Sequence, residues 1–308
     1  MGGLRLNSLS GRRVFLTGAA GGIGRATAER AAAEGAVLLL TDRDAEGLAA
    51  TAAAVRERGG TVAFTGAADI SSYEEVRAMA EEIHGAGGPV DVVMNIAGIS
   101  TWGTVQTLEH RHWRKVVEVD LMGPVHVIES FLPAMTEARR GGHLVNVSSA
   151  AGLLGLPWHA PYSAAKFGLR GISEVLRFDL RRHRIGVTLV CPGAVATPLA
   201  ETVEIVGVDR DSAAMRRLRA RFLARAAAPE EVAAAIIDGV RRGRYLVHTS
   251  RGVRLLHGLQ RYAPPLYVLA MRIASAAVER LLGPEARRAS PPEGDRNHGP
   301  AHRHGGPR

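Results

Sequence analysis

Short apolar runs alternate with longer alanine-rich stretches along most of this chain, and that alternation limits the fold more than any other feature. Val14-Phe15-Leu16, Val37 to Leu40, Val62-Ala63-Phe64, Val90 to Asn95, His143 to Val147 and Val187 to Val190 read as strands. Helices are expected between them, over Ile23 to Glu34, Asp44 to Arg58, a segment capped by Ser71 or Ser72 and ending near His84, Glu109 to Arg139, and Tyr162 to His183. Strands without polar alternation are covered on both faces, and strands separated by helices run parallel. The expected architecture is α/β: a single-domain Rossmann fold, a doubly wound parallel sheet of about seven strands with a C-terminal helical extension. Residues 1–250 make up the main domain in this reading, with a helix opened by Pro229 and a last strand at Tyr245-Leu246-Val247.

The chain has 308 residues, 46% of them hydrophobic, enough for a sizeable core. Its net charge of +9 comes from 39 basic residues, of which only Lys115 and Lys166 are lysine. The arginines are spread out rather than clustered with aromatics, which argues against a nucleic-acid partner. Cys191 is the only cysteine, so an internal disulfide and a cysteine zinc cluster are excluded, and no metal is expected. A lone cysteine, the lack of an apolar run in Met1 to Asn7, and the lack of a spanning segment of ~18 apolar residues together suggest a cytoplasmic protein.

Thr17-Gly18-Ala19-Ala20-Gly21-Gly22-Ile23-Gly24 follows the first strand and opens the first helix. Glycines let the backbone approach a pyrophosphate, and a helix N-terminus supplies free N–H groups. Asp42 ends the second strand, where a carboxylate accepts hydrogen bonds from a ribose and repels a 2′-phosphate, which favours NAD. Arg43 beside it suits a 2′-phosphate and keeps NADP as the alternative. Tyr162 and Lys166 are four residues apart, one turn along a helix face. An ammonium beside a phenol favours the phenolate, and a phenol tuned toward neutrality exchanges a proton with an alcohol or ketone.

Taken in order, these motifs resemble those of the short-chain dehydrogenase/reductase family from about Gly11 to Val247. Thr17-Gly18, Gly22, Ile23 and Gly24 match its cofactor loop, and Asp69-Ile70 its adenine-contacting pair. Asn95-Ile96-Ala97-Gly98 resembles its Asn-Asn-Ala-Gly signature, with Ile96 in place of the second asparagine. Ser149 stands where the family keeps its catalytic serine, thirteen residues before Tyr162. Pro192-Gly193, Val195 and Thr197 match the segment that holds the nicotinamide carboxamide. One departure is Asp120, in the long helix where the family usually has an asparagine that holds a helix kink. Aspartate is nearly the same size, and it adds a charge near Lys166 that would raise the lysine pKa.

The resemblance implies an NAD(P)-dependent oxidoreductase acting on CH–OH groups without a metal. Tyr162 would be the general acid or base, Ser149 would orient the substrate oxygen, and Lys166 would bind the nicotinamide ribose and lower the Tyr162 pKa. The apolar loop from Ala150 to His159 and a lid over Leu199 to Leu223 suggest an apolar secondary alcohol or ketone, while His159 and the lid arginines would suit an anion. The alternatives are an NADPH-dependent ketoreductase and a non-catalytic nucleotide-binding scaffold. The resemblance also implies a homodimer or homotetramer, built on the long helix and the Tyr162 helix. Residues 251–283 read as two basic amphipathic helices split at Pro264-Pro265, packed over the pocket or a subunit contact, or lying on an anionic membrane. Residues 284–308 read as a disordered tail, in which His298, His302 and His304 lack the frame of a metal site.

Overall fold

The computed structural model describes residues 4–289. Its strands are β1 (Arg13–Thr17), β2 (Val37–Asp42), β3 (Thr61–Ala67), β4 (Val92–Asn95), β5 (Thr101–Trp102), β6 (Gly142–Val147), β7 (Ile185–Cys191), β8 (Glu204–Ile205) and β9 (Leu246–His248). The helices are α1 (Gly22–Ala33), α2 (Ala45–Glu57), α3 (Tyr73–Gly87), α4 (His110–Val117), α5 (Gly123–Ala138), α6 (Ala160–Asp179), α7 (Pro198–Thr202), α8 (Ala213–Leu223), α9 (Pro229–Arg242), α10 (Arg251–Tyr262) and α11 (Pro264–Ala289). Seven strands form one parallel sheet in the order β3-β2-β1-β4-β6-β7-β9. The order reverses between β1 and β4, and ligands of open α/β sheets bind at such a switch point, beyond the carboxyl ends of the strands.

Continuous apolar strands arise because alternate residues serve two cores. Val14 and Leu16 of β1 join a layer with Leu38, Leu40, Val92 and Met94 under α1 and α9. Phe15 joins Leu39, Val93 and Leu144 on the other face, with Val76 of α3 and Val127 of α5. Phe15 stacks on Phe131 with ring centroids 4.2 Å apart. Losing either ring would cost about 3–5 kcal/mol, since the cavity could not collapse. Local signals set the helix ends: Ser72 accepts the Glu75 N–H at 3.3 Å, and Gly243 (φ 62°) ends α9 in the left-handed region.

Three features differ from the sequence reading. The helix expected over Glu109 to Arg139 is broken by a π-helical turn, Glu118–Met122, between α4 and α5. Residues 199–225 form α7, β8 and α8, and β8 pairs with β5 in a small parallel sheet that such short segments did not announce. Helix α11 runs through Pro284 to Ala289, so residues 284–289 are helical rather than part of a tail. Residues 290–308, with His298, His302 and His304, lie outside the described residues. Among the described residues no helix is long and apolar enough to cross a membrane, and no cluster could hold a metal.

Candidate active site

The glycine loop between β1 and α1 closes one side of the switch point. Gly18 has φ +76°, and a Cβ there would lie 2.8 Å from Ala97 Cα, so glycine alone lets the two loops pass. Thr17 Oγ1 accepts the N–H groups of Ile96 (3.0 Å) and Ala97 (3.1 Å), binding the loops together. A Cβ on Gly24 would overlap the Gly18 carbonyl oxygen, while Ile23 packs on the core layer below. Helix α1 starts after Gly21 with no side-chain cap and no acidic residue in its first turn. Its first N–H groups and its dipole are left for an anion such as a pyrophosphate. On the far side Gly22 meets Thr197, whose Cβ would be 3.0 Å from an added Cβ.

Asp42 is tied into this loop. Its Oδ2 accepts the Ala20 N–H at 3.0 Å and its Oδ1 the Asp44 N–H at 3.1 Å, and each oxygen keeps a lone pair for a hydroxyl. Asp44 rather than Asp42 caps α2, accepting the Gly47 N–H at 3.0 Å. Arg43 lines a cavity of about 530 Å³ with Lys115, Arg111, Leu199 and Thr202. The Asp69 carboxylate is used within its own turn, accepting the N–H and hydroxyl of Ser71 at 2.9 and 2.7 Å. Ile70 is buried, and its carbonyl lies 2.9 Å from His126 Nδ1. Asn95 donates to Asn146 Oδ1 and Asn146 to Ser173 Oγ, both at 2.9 Å, so the chain β4–β6–α6 is stitched beneath the site.

Ser149, Tyr162, Lys166 and Asp120 gather above those stitches. Ser149 follows β6 and caps a 3-10 turn, its Oγ accepting the Ala151 N–H at 3.1 Å. Tyr162 and Lys166 share a face of α6, and Lys166 Nζ lies 5.6 Å from the phenol ring centre. Nζ also donates to the Val147 carbonyl at 3.3 Å. Asp120 is the central residue of the π-helical turn, completely buried, and its Oδ1 accepts the Ile99 N–H at 2.8 Å. Its Oδ2 lies 3.2 Å from Lys166 Nζ, an ion pair rather than an aligned hydrogen bond. A Cβ on Gly98 would stand 3.2 Å from Nζ, so glycine there leaves room for the pair. The Pro192 carbonyl accepts the Ala150 N–H at 2.7 Å, Gly193 abuts Ser250, and buried Val195 bridges to Ala227.

The sequence model of the short chain dehydrogenase family matches residues 12–205, from β1 to β8. The chain belongs to this family. Among its relatives, the protein named oxidoreductase SadH of Mycobacterium tuberculosis is 34% identical over 283 residues, 90% of this chain and 96% of SadH. A short-chain dehydrogenase/reductase from Burkholderia phymatum, solved in complex with NAD, superposes with a TM-score of 0.77 at 28% identity, covering 85% of this chain and 96% of that one. A metagenomic short-chain oxidoreductase solved in complex with NADP gives a TM-score of 0.63 at 30% identity, covering 78% and 96%.

The electrostatics of this short-chain dehydrogenase differ from the expected lowering of the phenol. Burial pushes Tyr162 above its ordinary value; Lys166 and Ser149 pull it back, while Asp120 adds to the rise. Burial also pushes the Asp120 carboxyl up, against the pull of Lys166. Burial opposes the Lys166 charge, but Asp120 and Tyr162 outweigh it and hold the ammonium above the lysine range, in the direction expected. Burial pushes the neighbouring Cys191 thiol up to about 12, which leaves it unreactive.

Aromatic rings pack beside Tyr162. His159 packs on Trp102 at 4.1 Å and faces Tyr162 at 6.3 Å. Burial pulls its pKa down to about 4 although one edge reaches solvent, so near neutrality it carries no charge to attract an anion. Its Nδ1 lies 2.6 Å from the Pro157 carbonyl, which only accepts, so Nδ1 carries the proton. Trp158 adopts φ +65°, a strained value for a bulky side chain, with its carbonyl held by the Gly103 N–H at 2.9 Å. Val203, Ile205 and Met215 of the lid pack with Leu282 of α11 against both tryptophans. Two supporting residues went unread, Asn146 and Trp102, neither of which carried a local signal.

Proposed function

We propose that the protein is an NAD(P)-dependent oxidoreductase that interconverts an apolar secondary alcohol and its ketone. The reading rests on the convergence of Ser149, Tyr162 and Lys166 beside the uncapped N-terminus of α1. The glycine cradle and the free lone pairs of Asp42 fit a dinucleotide, with NAD favoured. A nicotinamide held there would supply the hydride acceptor or donor. The N–H groups of α1 would hold its phosphates, Asp42 its adenosine ribose, Asp69-Ile70 its adenine, and the strand end from Pro192 to Thr197 its carboxamide.

Within the chain, Ser149 Oγ orients the substrate oxygen. Tyr162 gives its proton to the ketone or takes it from the alcohol, and Lys166 holds the nicotinamide ribose and stabilises the phenolate. A phenol raised by burial is protonated near neutral pH, which favours reduction there and leaves oxidation to rise with pH. Trp102, Trp158 and neutral His159 support an apolar substrate over an anionic one. Arg43, exposed at the cavity edge, supports NADPH-dependent ketone reduction as the second reading; fluorescence titration with each cofactor decides between them. A non-catalytic scaffold is disfavoured by the complete Ser149, Tyr162 and Lys166 set.

Tyr162→Phe tests the assignment directly. Turnover is expected to fall by at least about a hundredfold, the usual contribution of acid–base catalysis, with cofactor affinity retained. Near-normal turnover in that variant would overturn it.

A further inference from the structure

Helices α10 and α11 each bury one side and expose another. Val253 and Leu256 of α10 pack with Leu153, Leu154 and Leu189 beside the site, and Leu281 and Leu282 of α11 pack on the lid. The opposite faces have no such cover. Leu255 is 65% exposed, Tyr262 81%, Leu266 56%, Leu269 55% and Ile273 63%, a density of large apolar side chains that water does not favour. Leu255 and Tyr262 are seven residues apart, on one side of α10. Leu266, Leu269 and Ile273 follow helical spacing along α11, and Tyr262 and Leu266 flank the break between the two helices at Ala263.

Charge bears on what could cover these stripes. An arginine immediately precedes three of the exposed apolar residues, in Arg254-Leu255, Arg261-Tyr262 and Arg272-Ile273. Each sits about 100° around its helix from that neighbour, at the flank of the stripe. Arg251 adds a fourth positive charge, and from Ser250 to Val278 there is no aspartate or glutamate. Among the described residues none of these four arginines is paired with a carboxylate. A second copy of the chain related by two-fold symmetry would set the same positive patch against itself. An anionic bilayer surface satisfies both features, since acyl chains take the apolar stripe and headgroups take the flanking guanidinium groups.

We propose that the outer faces of α10 and α11 form a docking surface for an anionic lipid membrane. The helices lie in the interface plane, and neither crosses the bilayer. The surface adjoins the loop between Ser149 and Tyr162. The Gly155 N–H donates to Tyr267 Oη of α11 at 2.9 Å, and a cavity of about 360 Å³ opens there between Gly155, Pro157, Val268, Met271 and Arg272. An apolar alcohol or ketone dissolved in the membrane would enter from this side, a corollary that rests on the oxidoreductase reading.

Sedimentation of the full chain with phosphatidylcholine vesicles, and with vesicles that also contain phosphatidylglycerol, tests the surface. Binding is expected to be about tenfold or more tighter to the anionic vesicles and to weaken with added salt. The exposed-residue variants Leu255→Ser/Leu269→Ser/Ile273→Ser and Arg254→Gln/Arg261→Gln/Arg272→Gln should each lose about tenfold or more while keeping the parent thermal transition. Equal binding to both vesicle types, or serine variants that sediment like the parent, would overturn the proposal. So would absent vesicle binding together with a dimer that the serine changes disperse. Vesicle binding is read without turnover, so a chain that binds but reduces no ketone removes only the enzymatic reading.

Discussion

Asp120 and Lys166 share a site that water does not reach, and each decides the other's charge. The carboxylate faces the ammonium with Oδ2 and the Ile99 N–H with Oδ1. Its charge adds to the rise of both Lys166 and Tyr162. Asp120→Asn keeps an acceptor for Ile99 and removes the charge. The phenol pKa then drops, and the ascending limb of the pH–rate profile for alcohol oxidation is expected to move to lower pH. An unmoved limb would mean that the Asp120 carboxyl is already protonated. A π-helical turn at this residue matches the general placement of such turns at functional positions. At Gly24, alanine would ordinarily gain about 1 kcal/mol of helix propensity. Here its Cβ would overlap the Gly18 carbonyl, so the steric term wins. Gly24→Ala is expected to weaken NAD binding by about tenfold or more in a fluorescence titration, because the backbone must open where the pyrophosphate lies close.

At the scale of elements, β6 and β7 carry a hidden acid sensitivity. His143 pairs with Gly186 in the sheet register and is fully buried. Thr188 Oγ1 gives its proton to the Arg244 carbonyl, so His143 Nε2, 2.8 Å away, must donate to it. Nδ1 is left unprotonated and without a partner, close to where a Cβ on Gly186 would be. Burial accordingly pulls the His143 pKa down to about 3. The unfolded chain binds this proton more readily than the folded one. Stability is therefore intact above the unfolded value near 6.5 and falls as pH drops toward 3. The loss from this one group is on the order of 4–5 kcal/mol at the acid end. His143→Asn is expected to flatten the dependence of the urea midpoint on pH between those limits, whatever it costs at pH 7.

Among the described residues, most of the exposed large apolar side chains gather in two places. One is the outer side of α10 and α11. The other is α6 with α4, where Phe167, Val175, Phe178 and Trp113 face solvent. Their position on the helices that flank the site supports a homodimer or homotetramer formed there. Phe178, 60% exposed, is the natural probe. Phe178→Glu would bury a carboxylate on association and is expected to shift the protein toward monomer in light scattering, with an unchanged thermal transition at low concentration. An unchanged oligomer would exclude that face.

By itself the sequence determined the parallel sheet and the glycine loop at its switch point. Apolar runs, strand-end residues and the glycine loop are local signals, and Tyr162 and Lys166 share a face through helical spacing alone. Interactions between distant segments needed the tertiary structure. Asp120 is expected near Lys166 from the family resemblance, but its place at the centre of a π-helical turn and its 3.2 Å distance from Nζ come from the fold. Strands β5 and β8 exist through their mutual pairing, being too short to carry a pattern of their own. The direction of the Tyr162 shift was set in the same way. Spacing along α6 revealed the lysine that lowers it, whereas the burial and the Asp120 charge that outweigh it come from chain packed in from elsewhere.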